Sequence, residues 1–302
     1  MSNIEIVRGK HKWMMHEALC NNLNFLKKQQ KNDWDFKVLV SGDGMTRTGK
    51  STHAFQEALY LDEDFADNWK IQTVFDGAKL IETAYAIGKG KVIVYDEARE
   101  GLDSKKQMMM YTKNLLDFFS QCGNLNHIVI IVLPEFFELP KTVAITQSIF
   151  LVNCYAQDGF DRGYFDFFNR KDKKYLYING QKYLDYKAQK PSFKGTFTDF
   201  IPFDREEYET LKNKSLIQIR KRESYGDMKE SHDTELIRVR ILIKYLRNEL
   251  KIKALPIAER IGISVSTLYE KYITPMKQET LDIQEYDRLD DINNNLENLN
   301  KA

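Results

Sequence analysis

The chain has little cysteine, and what it has is scattered: Cys20, Cys122 and Cys154 stand far apart, with no CxxC pair. That spacing argues against a disulfide framework or a zinc site and suits a reducing compartment. No apolar run approaches the length of a membrane span, and the opening Met-Ser-Asn-Ile-Glu lacks the basic-then-apolar pattern of a signal peptide. The expected setting is cytoplasmic, with no membrane partner. An excess of charge is also missing, since 45 Lys and Arg against 44 Asp and Glu leave a net charge of +1. Any affinity for nucleic acid must therefore come from local patches. His11, His16, His53, His127 and His232 show no ligand spacing and read as structural or surface groups. What remains is 302 residues of ordinary composition, enough for one sizeable core and a second, smaller module.

What is present is concentrated in Val38-Leu39-Val40-Ser41-Gly42-Asp43-Gly44-Met45-Thr46-Arg47-Thr48-Gly49-Lys50-Ser51-Thr52. An apolar, β-branched run ends there in a loop where Gly44, Gly49, Lys50 and Ser51 keep the spacing G-x-x-x-x-G-K-[ST] of a phosphate-binding loop. The glycines let the backbone turn its N–H groups inward as an anion nest. Residues Gly44, Met45, Thr46, Arg47, Thr48, Gly49, Lys50, Ser51 and Thr52 are the expected nucleotide contacts. Lys50 supplies a cation between the β and γ phosphates, and the Ser51 hydroxyl ligates Mg²⁺. The helical stretch from Ser51 to Leu61 aims its positive N-terminus at the pyrophosphate.

The second anchor is Lys91-Val92-Ile93-Val94-Tyr95-Asp96-Glu97, with Asp96 46 residues beyond Lys50. A near-continuous apolar run marks a strand buried on both faces of a parallel sheet, and its carboxylates fall at the strand end where such sheets place ligands. Asp96 is the expected Mg²⁺ holder, and Glu97 the general base that polarises a water for attack on the γ-phosphate.

Around these anchors the pattern alternates. A helix is expected from Trp13 to Gln30, strands at Phe36 to Val40 and Ile71 to Phe75, and a helix from Ala78 to Ile87. A helix from Ser104 to Ser120 and strands at Asn126 to Leu133 and Gln147 to Ala156 follow. This predicts a three-layer α/β fold with right-handed βαβ crossovers. Tyr164 to Phe168 and Lys174 to Ile178 read as a β-hairpin extending the sheet, and 187–200 as a connection.

Beyond it the chain changes character. Lys212, Lys214, Arg220, Lys221 and Arg222 fall within eleven residues containing no acid, which suits phosphate contact or an ordinary solvated helix face. An amphipathic helix from Asp233 to Leu250 precedes Leu255 to Tyr272, which resembles a helix-turn-helix. Pro256 suits the first turn of a helix, Gly262 makes the turn, Ile263, Val265 and Leu268 face inward, and Ser264 or Ser266 caps the second helix. In that reading Ser266, Thr267, Tyr269 and Lys271 face the major groove, with a bundle for protein contacts as the alternative. Leu289, Ile292, Leu296 and Leu299 give the acidic tail a short coiled-coil pattern. The expected division is 1–186 for the ATPase domain, 187–232 for a linker and basic segment, 233–275 for the helix-turn-helix and 276–302 for the tail.

The first 185 residues or so look like a P-loop ATPase of the group with an extra strand between the two motifs and a glutamate beside the Mg²⁺ aspartate. Asn32-Asp33-Trp34-Asp35-Phe36, the GKST loop, Tyr95-Asp96-Glu97-Ala98, Leu133-Pro134 and Arg162-Gly163-Tyr164-Phe165 resemble the zonular-occludens-toxin-like ATPases of phages and mobile elements, akin to FtsK/HerA pumps and packaging ATPases. The resemblance implies a homo-oligomeric motor that uses ATP and Mg²⁺ to move or package double-stranded DNA. An arginine of one subunit, Arg99, Arg162 or Arg170, would reach its neighbour's γ-phosphate. Where many such ATPases sense the γ-phosphate, this chain has Leu133-Pro134, which leaves Asn124, Asn126 or Gln121 for that work or none. The competing reading is an ATPase switch that loads or remodels a DNA-bound protein of a phage or mobile element.

Overall fold

A computed structural model describes residues 2–45, 47–98, 102, 110–157, 161–217, 242–243, 246 and 251–270. The chain forms two compact units, Met1–Ile219 and Arg220–Ala302.

The first unit opens with a hairpin, β1 (Asn3–Arg8) and β2 (His11–His16). The helix expected from Trp13 instead begins at Glu17 as α1 (Glu17–Gln30). Trp13 and Met15 are buried while Lys12 and Met14 are exposed, a period of two that belongs to a strand. Next come β3 (Phe36–Gly42), α2 (Lys50–Leu61), α3 (Phe65–Gln72), β4 (Thr73–Val74), α4 (Gly77–Ala86) and β5 (Val92–Tyr95). The helix Met110–Gln121, β6 (Ile128–Glu135) and β7 (Leu151–Tyr155) complete the parallel core. Residues 103–109 of the expected Ser104 helix lie outside the described residues.

The sheet runs β4-β5-β6-β3-β7-β8-β9, parallel from β4 to β7 and antiparallel from β7 to β9, where β8 is Tyr164–Phe168 and β9 is Phe193–Thr196. Every residue of β3 and β5 is buried. Val38, Val40, Val92, Val94, Ile128 and Ile130 pack on one face with α1 and α2. Leu39, Ile93, Tyr95, Val129 and Ile131 pack on the other with α4 and Met110–Gln121. Two apolar cores on opposite faces of one sheet make the three layers. Parallel pairing registers Val38 with Ile130, and Ile130 with Val94, so β6 lies between the phosphate-loop strand and the acidic strand.

The expected hairpin partner, Lys174 to Ile178, is helical. Asn169 caps the helix Arg170–Gly180 by accepting from the backbone N–H of Lys171 and Asp172, and Lys173, Leu176, Tyr177 and Gly180 are buried at helical spacing. The antiparallel extension is instead completed by β9, within the segment expected to be a connection. Residues 187–217 accordingly pack into the first unit. Gln56 Nε2 donates to the carbonyls of Thr198 and Phe200 at 2.7 and 3.0 Å, and Phe203 stacks on Trp69 with ring centroids 4.1 Å apart. Cys20, Cys122 and Cys154 are buried free thiols, and no helix among the described residues is long and apolar enough to cross a membrane.

In the second unit, Ala254–Ile261 ends at Gly262 in the left-handed region (φ 76°), and Ser264 caps Val265–Leu268 by accepting from Thr267 N–H at 3.1 Å. Ile243, Ile257, Ala258 and Leu268 form its core, with Ile263 and Val265 packed against them. Arg220, Lys221, Arg222, Lys271, most of the Asp233 to Leu250 helix and the 276–302 tail lie outside the described residues.

Candidate functional site

β3 delivers the chain to the loop at the C-terminal edge of the parallel strands. Gly44 (φ 80°) and Gly49 (φ 89°) turn it through the left-handed region, and Gly49 sits at the N-cap of α2. Glycine is required at Gly49 on a second ground: a Cβ there would meet the Phe197 ring at 2.9 Å. Arg47 is also left-handed, at φ 62°. The Lys50 ammonium donates to the Met45 carbonyl at 2.8 Å and the Thr48 hydroxyl at 3.3 Å. Burial pulls Lys50 below its ordinary lysine value, against the opposing pull of Glu97, Asp43 and Asp96. Thr46 lies outside the described residues.

One strand removed in the sheet, β5 ends at the two carboxylates. The backbone N–H of Asp96 bonds Val74 O on one neighbour, and that of Ala98 bonds Val132 O on the other. Between them Glu97 takes φ 57°, a conformation that costs a non-glycine residue about 1–3 kcal/mol and marks sites where a side chain must be aimed. The turn sends the two carboxylates in different directions. Asp96, 1% exposed, accepts from the Ser51 hydroxyl at 3.1 and 3.2 Å, whereas the Glu97 side chain is 38% exposed toward the cleft. The loop's hydroxyl and the strand's carboxylate are thus in contact across 45 residues of sequence.

Two further residues complete the site, from a helical stretch over 205–217. The Tyr208 hydroxyl donates to Asp96 Oδ2. The Lys212 ammonium lies 3.3 Å from the same oxygen and 2.6 Å from Glu97 Oε1. Burial, then Asp96, push the Tyr208 phenol far up. Burial alone would lower Lys212, but the carboxylates of Asp96 and Glu97 outweigh it and the ammonium is raised. Lys212, assigned from sequence to a basic patch, therefore belongs to the acidic centre. The available sign in the sequence was the i,i+4 spacing of Tyr208 and Lys212, but nothing local says that this helix folds back over the loop.

Loop, carboxylates and these residues line one cleft of about 610 Å³, with Phe55, Phe197 and Ile201 as its apolar wall. Of the arginines expected near phosphate, Arg162 lines this cleft together with Arg47 and Arg205. Arg170 instead opens the exposed start of the helix Arg170–Gly180, and Arg99 lies outside the described residues. The polar residues suggested for γ-phosphate sensing are misplaced for it. Asn126 bonds Asp33 and Gln30 before the start of β6, at the end of the sheet opposite the loop, and Gln121 and Asn124 precede it. The polar group at the loop end of β6 is Glu135, two residues after Leu133 and part of the same strand. A register shift places it opposite Gly42. Tyr186 lies 2.7 Å from Glu135 Oε1 and 2.6 Å from Gly42 O. Burial raises the Glu135 carboxyl, against the Tyr186 hydrogen bond.

The donor set fits a hard divalent cation: the Ser51 hydroxyl and Asp96 carboxylate meet, and the carboxylates already hold an ammonium. Among the described residues there is no group of three or more His, Cys, Asp or Glu side chains that could hold a metal ion. In the second unit, the hydroxyls of Ser266 and Thr267 lie 2.8 Å from Ser264 Oγ within the cap, and Tyr269 is exposed.

No family model matches the chain, and no curated protein matches it significantly. Among solved structures it is similar to the genome packaging NTPase B204 from Sulfolobus turreted icosahedral virus 2 in complex with AMPPCP, at 14% identity over 47% of this chain and 95% of that one, TM-score 0.33. It is also similar to the N-terminal domain of zonular occludens toxin from Neisseria meningitidis, at 11% identity over 58% of this chain and 98% of that one, TM-score 0.35. At these scores neither likeness bears on function, and the fold assignment stands on strand order and loop geometry. By those two features the chain has the P-loop NTPase fold, in the form that inserts a strand between the phosphate loop and the acidic strand.

Proposed function

We propose that the chain hydrolyses ATP with Mg²⁺ and uses the hydrolysis to act on double-stranded DNA as the translocating or packaging motor of a phage or mobile element. The observation that carries the reading is the meeting of Ser51, Lys50, Asp96 and Glu97 in one cleft at the N-terminus of α2. Loop N–H groups and the helix N-terminus bind the phosphates, and Lys50 moves from Met45 O to their oxygens. Ser51 and Asp96 would hold Mg²⁺, which when bound neutralises charge on the phosphate oxygens. Glu97 accepts the proton of a water whose oxygen attacks the γ-phosphorus as the bond to the β–γ bridging oxygen breaks. Arg162, in the cleft of its own chain, supplies positive charge without needing a second copy. Duplex DNA, further copies of the chain and a protein of the same mobile element are the proposed partners. The two short helices around Gly262 favour a DNA-contacting second unit.

The test is steady-state ATP hydrolysis by wild type and Glu97→Gln, with and without long duplex DNA at low salt. Loss of the base is expected to lower turnover by about 10²–10⁴. DNA stimulation that fades as salt rises is expected of phosphate contacts. Hydrolysis indifferent to DNA would sink the motor and favour the protein-remodelling switch.

A further inference from the structure

The acidic centre already contains a cation of its own, and its position has a consequence for how the site works. Asp96 is 1% exposed and the Glu97 side chain beside it is 38% exposed on the cleft, so one of the two negative charges is buried and the other opens to water. The Lys212 ammonium bridges them, 3.3 Å from Asp96 and 2.6 Å from Glu97. While that contact lasts, one of the two Glu97 oxygens, Oε1, is held by an ammonium. Asp96 likewise spends a lone pair on Lys212 that a divalent cation would need.

The residues around the bridge divide into a fixed part and a movable one. Tyr208, one turn earlier, is 3% exposed and its ring packs edge-on against Phe55 at 5.0 Å and lies near Trp69, Phe75 and Phe203. Its hydroxyl is anchored to the same Asp96 oxygen. Lys212 lines the cleft and its side chain is 18% exposed, on a flexible four-carbon stem. The lysine can leave without the helix moving.

Building on the reading of the cleft as an Mg-ATP site, we propose that Lys212 is a placeholder for the divalent cation. It neutralises Asp96 and Glu97 until the cation arrives, and its displacement frees Glu97 to accept a proton. Cation arrival and activation of the base are then one event.

The test titrates Mg²⁺ against binding of a fluorescent, non-hydrolysable ATP analogue to the full chain. Lys212→Met is expected to lower the half-saturating Mg²⁺ concentration by about tenfold or more, equivalent to about 1.4 kcal/mol. Lys212→Arg, which keeps the cation, stays within about threefold of wild type. An unchanged or raised Mg²⁺ requirement in Lys212→Met overturns the placeholder while leaving the nucleotide site standing. Wild type that binds the analogue at no Mg²⁺ concentration overturns the site itself, and the placeholder with it. A second measurement needs no variant: acylation of Lys212 in wild type, followed by peptide mass spectrometry, should speed up several-fold when Mg²⁺ and the analogue are added together. Reactivity that does not change overturns the proposal.

Discussion

Replacing Tyr208 with Phe removes a single hydroxyl from the acidic centre. The ring and its aromatic neighbours Phe55, Trp69, Phe75 and Phe203 are kept, so no cavity opens and only the hydroxyl is lost, which donates to Asp96 Oδ2 and accepts from Lys212 Nζ at 3.4 Å. A hydrogen bond to a charged partner contributes about 1.5–3 kcal/mol. With Asp96 at 1% and Tyr208 at 3% exposure, water has no ready route to replace the donor, which places the cost in the upper half of that range, about 2–3 kcal/mol. For a unit of this size 1 kcal/mol moves the melting temperature by about 2–4 °C, so a fall of roughly 5–10 °C is expected. Urea unfolding should show a lower midpoint with an unchanged m-value, because the packing is conserved. Asp96 Oδ2 also serves Lys212, so Tyr208→Phe and Lys212→Met should combine non-additively, whereas either should add with a distant core variant. A cost for Tyr208→Phe below about 0.5 kcal/mol, or strict additivity with Lys212→Met, would refute the shared-carboxylate geometry.

Two other perturbations test the scaffold behind the site. Gly195 faces Phe165 across the β8–β9 pair, and a Cβ there would lie 2.5 Å from the ring. Gly195→Ala should therefore destabilise by about 1–3 kcal/mol in a thermal melt, and a neutral result would mean that β9 does not cross Phe165. Lys173 is fully buried, with its ammonium donating to Ala144 O, to Ser148 O at 2.9 Å and to the Ser148 hydroxyl at 2.6 Å, and burial lowers it to about 7. From pH 7 up to the ordinary lysine value of 10.5 the unfolded chain holds a proton that the folded chain sheds. Stability from this group therefore rises with pH across that window. Wild type should gain on Lys173→Met between pH 7 and 10 in urea unfolding, and a pH-independent difference would contradict this.

Much of the site was readable because its signals are local. The G-x-x-x-x-G-K-S spacing lies within one turn-to-helix unit, and the short, β-branched apolar run before Asp96 and Glu97 has the pattern of a strand buried on both faces. The Lys174 to Ile178 segment misled because Tyr175 and Tyr177 mimic strand alternation. The burial of Lys173, Leu176, Tyr177 and Gly180 has helical spacing, and Asn169 supplies the cap. Asn126 was a reasonable sensor by composition, but only the strand direction shows that it lies at the wrong end of β6.

The sequence by itself determined the phosphate loop, the acidic pair and the parallel sheet that carries them, because each is written in neighbouring residues. Only the tertiary structure decided which distant groups join them. Tyr208 and Lys212 reach Asp96 from more than 110 residues away. They do so because Phe200, Ile201 and Phe203 bury themselves against the first core and draw the helix that follows over the cleft. That placement depends on long-range apolar packing, which leaves no period or motif in the residues that it brings together.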